Sequence, residues 1–190
     1  MSRRTFLKFC SAMAGVLALP AAFGPRIATA LQAAPPMRLV WLHGQACGGD
    51  TAAFLRSPSP TASELFVRLL SVDYQEMLMA SSGANATRAM AASGGNGPDY
   101  LAVIEGSVPR GANGMYCLVG GRPFADVVRD VSAGAVATIA VGSCAVDGGA
   151  PRARNGVTGA VGVEDLHPAS PLVNLPGCPV NVHNLVATIV

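Results

Sequence analysis

Three cysteines stand in the same local setting far apart in the chain. Cys47 lies in Trp41-Leu-His-Gly-Gln-Ala-Cys47-Gly-Gly-Asp50, Cys144 in Ile139-Ala-Val-Gly-Ser-Cys144-Ala, and Cys178 in Leu175-Pro-Gly-Cys178-Pro. Each follows a short apolar run and a glycine. A strand that ends in a glycine turn lets the backbone approach a bulky group, and in an open parallel sheet such turns gather along one edge. Three of them converge three thiols, and the first adds a carboxylate, Asp50, three residues after its cysteine. This stretch reads as half of an iron-sulfur pocket. Buried thiols or disulfide partners satisfy the same placement, so the rest of the chain has to decide.

At 190 residues, 51% hydrophobic and 13% charged, the chain supports one domain with a substantial core. Its apolar runs are short and alternate with helical patterns. Strands are expected at Met37 to Leu42, Tyr100 to Ile104, Ala135 to Val141 and Leu172 to Leu175, and Val72 to Met79 reads either as a strand or as an amphipathic segment. Helices are expected near Thr51, with Asp50 as a candidate N-cap, and from Thr61, where Thr61 and Glu64 form a capping-box pattern. Others are expected at Ala84 to Ala92, Phe124 to Ser132 and from His183. Ser93 to Pro98 and Asp147 to His167 read as loops, as does the glycine-rich stretch Arg110 to Arg122. Continuously apolar strands alternating with helices indicate an α/β protein, a flavodoxin-like three-layer domain with a parallel sheet. No Gly-x-Gly-x-x-Gly opens a helix and no Gly-Lys-Ser/Thr loop is present, which argues against a nucleotide site.

The first thirty residues form a separate unit. Ser-Arg-Arg-Thr-Phe-Leu-Lys, an apolar run from about Ala12 to Phe23 and the small residues Ala28-Thr29-Ala30 follow in the order of a twin-arginine export signal. The expected organisation is a signal peptide over 1–30 and an iron-sulfur domain over 31–190. The apolar run is shorter than the roughly 20 residues that a membrane-spanning helix needs. The formal charge of +2 rests on Arg3, Arg4, Lys8 and Arg26 of this leader. Without them nine basic residues face eleven acidic ones, and no basic nucleic-acid surface is expected. Cys10 leaves with the leader, so Cys47, Cys117, Cys144 and Cys178 remain. Four cysteines in an exported protein suggest two disulfides, but a route used chiefly by proteins that load a cofactor before export favours a cluster.

Read together, several motifs resemble the small subunit of a nickel-iron hydrogenase: the twin-arginine start, Phe23 to Leu31, the Cys47 loop, Arg56-Ser57, Glu105-Gly-Ser-Val-Pro, Val119-Gly-Gly-Arg-Pro, the Cys144 and Cys178 loops, Gly148-Gly149 and Thr158-Gly159. The resemblance covers nearly the whole chain. It implies a domain that binds a 4Fe-4S cluster and docks on a large subunit holding the nickel-iron centre. Electrons pass on to an acceptor, a membrane cytochrome b being one option, in the periplasm or at the outer face of the cytoplasmic membrane. Cys47, Cys144 and Cys178 match three ligand positions. The fourth, usually the second cysteine of a Cys-x-x-Cys, is Asp50 here, a hard oxygen donor. Cys117 is the alternative fourth ligand, matching the region of the extra cysteine of oxygen-tolerant members, although Gly49 stands where those carry a further cysteine.

Glu105 reads either as a solvated strand-end acid or, by the resemblance, as a proton relay near the large-subunit contact. His43, His167 and His183 lack metal-binding spacing, and surface or hydrogen-bonded roles are expected for them. Two further departures stand out. Arg154 to Thr158 replaces a proline-rich loop, and the chain stops at Val190, before the family's C-terminal cluster segment, as in a fragment or a reduced one-cluster subunit. Two other readings compete. A quinone-reductase subunit of the same fold would carry adjacent cysteines in the first loop, where Gly48-Gly49 stands, and an exported disulfide-bonded binding domain would hold no iron.

Overall fold

The computed structural model describes residues 2–95, 100–153 and 156–190. Its strands are β1 (Met37–His43), β2 (Leu70–Gln75), β3 (Tyr100–Glu105), β4 (Val108–Pro109), β5 (Leu118–Val119), β6 (Arg122–Pro123), β7 (Ala137–Val141), β8 (Ala160–Val161) and β9 (Leu172–Leu175). The helices are α1 (Arg3–Val16), α2 (Phe23–Ala33), α3 (Gly49–Leu55), α4 (Ala62–Arg68), α5 (Gly83–Gly95), α6 (Phe124–Ala133), α7 (Gly142–Asp147), α8 (Gly149–Ala153) and α9 (Val182–Ile189).

Five strands form one parallel sheet in the order β2-β1-β3-β7-β9. This is the flavodoxin-like order, with the switch point between β1 and β3. Side chains alternate across the pleat, and both faces are apolar. Leu39, Trp41, Leu101, Val103, Ile139 and Val141 face one way and pack with Phe54, Leu65 and Leu185 of α3, α4 and α9. Val40, Leu42, Ala102, Ile104 and Ala140 face the other way and pack with Phe124, Val127, Val128 and Val131 of α6. Those four positions follow helical spacing, and all are buried. The capping box at Thr61 and Glu64 is formed and starts α4.

The structure refines several expectations. β2 begins at Leu70, two residues before the expected start, because its pairing with Met37 begins there. Asp50 is inside the first turn of α3 rather than its N-cap. That position is Gly48, at φ +76°. The expected loop at Ser93 to Pro98 is helical through Gly95, and its remainder lies outside the described residues. The long loop from Asp147 contains α8, β8 and a 3-10 turn at Glu164–Leu166. The Arg154-Asn155 part of the departure from the proline-rich loop also lies outside the described residues.

The segment expected to be a leader forms two helices. α1 ends at Val16 and α2 begins at Phe23. α1 packs on both α2 and α9, placing Phe9, Cys10, Met13 and Ala28 in the core of that face. No helix among the described residues is long and apolar enough to cross a membrane.

Phe124 is fully buried, and its ring takes the space beside Gly44, where a Cβ would come within 2.7 Å of the ring edge. Phe124→Ala should cost about 3–5 kcal/mol of stability, read as a lower denaturant midpoint at unchanged slope.

Candidate metal centre

The C-terminal ends of β1, β3, β7 and β9 and the segments that follow them meet at one edge of the sheet, and they carry Cys47, Glu105, Cys144 and Cys178. Cys47 lies in the turn between β1 and α3, where Gly48 takes a positive φ that other residues resist. Cys144 is in the first turn of α7, directly after β7. Cys178 lies between β9 and α9. Cys47 and Cys178 are exposed and Cys144 is half-buried, and all five cysteines of the chain are free.

Cys47 and Cys178 both stand close enough to Cys144 to act on its thiol. Burial pushes the Cys144 thiol up, and Cys178, Cys47 and Asp50 push it the same way against a hydrogen bond with the Ala150 backbone. Bare backbone lies beside two of them. A Cβ on Gly149 would stand 2.8 Å from Cys144 Sγ, and one on Gly49 would stand 3.1 Å from Cys47 Sγ. Among the described residues no three His, Cys, Asp or Glu side chains close on a single ion. A mononuclear site needs that, whereas a cluster takes each thiolate on a different iron. The donor set of three thiols and a carboxylate in glycine-lined turns fits such a cluster.

Asp50 is buried beside these loops. Its Oδ1 accepts a hydrogen bond from Val180 N–H at 2.7 Å. Burial pushes its carboxyl up, the Val180 bond pulls it down, Glu105 adds to the upward push and His43 to the downward one. Cys117 is placed differently. Burial raises its thiol, and the charged group beside it is Glu76. Its backbone carbonyl accepts from Phe124 N–H at 2.9 Å, and its side chain packs against the α6 face of the sheet.

Glu105 is not solvated. It is fully buried and accepts hydrogen bonds from Trp41 Nε1 at 3.1 Å, Asp50 N–H at 3.2 Å, Thr51 N–H at 3.1 Å and the Thr51 hydroxyl. Gln75 Nε2 in turn donates to Thr51 Oγ1 at 3.1 Å. The Glu105 carboxylate thus caps the start of α3 and holds the Cys47 loop to the end of β3. His43 sits opposite Glu105 in the strand pairing. Its Nε2, 3.8 Å from Glu105 Oε1, is buried with no hydrogen-bond partner among the described residues, while His167 and His183 are exposed. Sequence reasoning missed the supporting role of Trp41, Thr51 and Gln75. Placing Trp41 and Glu105 at the ends of adjacent strands was the signal available for it.

Removing the Glu105 carboxylate strands several buried donors at once, each worth about 1–3 kcal/mol when unpaired. Glu105→Ala should therefore lower stability by about 3 kcal/mol or more, and Glu105→Gln by less, because the amide oxygen still accepts. Denaturant unfolding of the two variants measures the difference.

Comparisons with known proteins bear on the family and the fold. Residues 47–190 match the family model described as NADH ubiquinone oxidoreductase, 20 kDa subunit. The chain is 41% identical over 181 residues to the hydrogenase-1 small chain of Citrobacter freundii, covering 94% of this chain and 48% of that protein. It is 35% identical over 193 residues to the hydrogenase-2 small chain of Escherichia coli K12, covering 100% of this chain and 51% of that one. The Ni-Fe-Se hydrogenase of Desulfomicrobium baculatum superposes with a TM-score of 0.79 at 30% identity, over 81% of this chain and 60% of that chain. The chain spans about half the length of the curated relatives it matches. It belongs to the NADH ubiquinone oxidoreductase 20 kDa subunit family and, within it, stands with the small subunits of nickel-iron hydrogenases.

Proposed function

We propose that this chain is the electron-transfer small subunit of an exported nickel-iron hydrogenase, with one 4Fe-4S cluster held by Cys47, Cys144, Cys178 and Asp50. The observation that carries this reading is the gathering of three free thiols and Asp50 at the C-terminal edge of a hydrogenase-type sheet. A bound cluster would supply one-electron transfer between the nickel-iron site of a large subunit and an onward acceptor. The half-buried Cys144 thiol is protonated before loading, so metal uptake releases protons and strengthens as pH rises. Asp50 Oδ2 accepts no hydrogen bond among the described residues, and in this reading it is the oxygen that would bind iron. Cys117, the alternative ligand, has Glu76 rather than the other thiols as its charged neighbour, which favours Asp50.

Two further features support docking on a large subunit at this edge. Cys47 and Cys178 are exposed, and Met77, Leu78, Met115 and Tyr116 expose apolar surface on the segments that follow β2 and β4, as does Leu118 in β5. The relay role of Glu105 rests on its place at the same edge, with His43 Nε2 at 3.8 Å as its neighbour. Its bonds to α3 make loop anchoring its first role. A quinone-reductase reading is disfavoured by Gly48-Gly49, which stands where adjacent cysteines are expected.

Residues 1–30 are the twin-arginine leader in this reading, and they place the mature domain in the periplasm or at the outer membrane face, where a membrane cytochrome b can take the electrons. Replacing Arg3 and Arg4 together by lysine should leave the chain in the cytoplasm, as fractionation and immunoblotting would show. Iron and acid-labile sulfide on anaerobically purified protein test the cluster. About four of each are expected per chain, lost in Cys178→Ser and Asp50→Ala and kept in Cys117→Ala. Loss in Cys117→Ala but not in Asp50→Ala makes Cys117 the fourth ligand. No iron, with the thiols paired, leaves an exported disulfide-bonded domain instead.

A further inference from the structure

The Asp50 carboxylate touches both of the other cysteine loops. Oδ1 accepts the Val180 amide, two residues beyond Cys178, and Val180 is itself buried. The same carboxylate lies over Gly142, two residues before Cys144. A Cβ at Gly142 would stand 2.7 Å from Asp50 Cγ, so the notch that receives Asp50 exists because this position has no side chain. Gly142 also takes φ +81°, which glycine adopts without strain. The root of the Asp50 side chain is fixed by its own amide, which donates to Glu105.

The second and third loops have a tie of their own. Ser143 N–H donates to the Gly177 carbonyl at 2.7 Å, and Gly177 N–H donates to Ser143 Oγ at 3.2 Å. The first loop lacks an equivalent. Among the described residues no hydrogen bond other than that of Asp50 Oδ1 joins it to the Cys178 loop. A buried amide left without this acceptor is costly, so the bond holds the two loops together with no metal between them. A neutral carboxyl or an amide oxygen also accepts it, more weakly than a carboxylate does.

We propose that Asp50 is a positioning residue that draws the Cys47 loop onto the Cys144 and Cys178 loops before any metal arrives, so that the three thiols stand assembled for cluster uptake. This rests on the cluster-site reading and adds to it, because one oxygen ties the loops while the other is left for iron. Asp50 is then the residue that couples folding of the first loop to the order of the site.

Dibromobimane, which bridges two neighbouring thiols, tests this on the metal-free full chain, with bridged peptides identified by mass spectrometry. The unmodified chain should form Cys47–Cys144 and Cys144–Cys178 bridges. Asp50→Ala should lower Cys47–Cys144 bridging by about tenfold, the scale of one buried hydrogen bond to a charged group, and leave Cys144–Cys178 bridging unchanged. Asp50→Asn, which keeps the acceptor, should retain both. Unaltered Cys47–Cys144 bridging in Asp50→Ala overturns the proposal. If Asp50→Ala loses both bridges, Asp50→Asn decides alone: both bridges kept upholds the tie, and Cys47–Cys144 lost overturns it. Iron loading of the same variants separates the tie from the ligand. Wild-type iron in Asp50→Asn with both bridges kept upholds the tie and removes the carboxylate ligand. Iron lost from Asp50→Ala with bridging unaltered upholds the ligand and overturns the tie.

Discussion

The arrangement of the site depends on one buried carboxylate. Glu105 ends the central strand β3 with no exposure to solvent, a placement that is costly for an acid unless donors surround it. The donors come from Trp41, Asp50 and Thr51. Each belongs to β1 or to the helix that follows it. The parallel register that sets His43 against Glu105 brings the end of β1 level with the acid, so the amides at the start of α3 can only turn toward it. The carboxylate thereby fixes the path of the chain through Cys47.

From that anchor the remaining thiols follow from sheet topology. In the order β2-β1-β3-β7-β9 the strands all run the same way, and loops after β1, β7 and β9 emerge on one edge. Glycine is needed where two such loops cross closely. Gly142 has Asp50 over it, so a side chain there would push the two loops apart, while Gly149 leaves room for Cys144 within the segment that follows β7. Cys47 and Cys178 stay exposed at this edge, and Cys144 is half-buried.

Much of this was legible in the chain itself. Continuously apolar segments such as Tyr100 to Ile104 identify strands covered on both faces, and the spacing of Phe124, Val127, Val128 and Val131 identifies the helix that covers one of them. The cysteines declared their setting through the glycine beside each. Asp50 was harder to place. The same residue type at the same spot serves as an N-cap, an iron ligand or a buried acceptor, and local pattern does not separate them, because the choice depends on Val180, which is 130 residues away. Glu105 shows the same limit. A strand-end acid is usually solvated, and only the donors converging on it from β1 and α3 make it an internal capping group.

The sequence by itself determined the alternation of strands and helices, the parallel sheet, the three glycine-flanked thiols and the motif order shared with hydrogenase small subunits. These follow from local periodicity and from residue types whose backbone preferences are intrinsic. Tertiary structure decided how α1 packs on α2 and α9, that Cys117 stands by Glu76, and that Asp50 bridges the cysteine loops. It also decided that Glu105 is buried rather than solvated. Each of these depends on which distant side chains share a space, and that is set by strand order and register rather than by any neighbour along the chain.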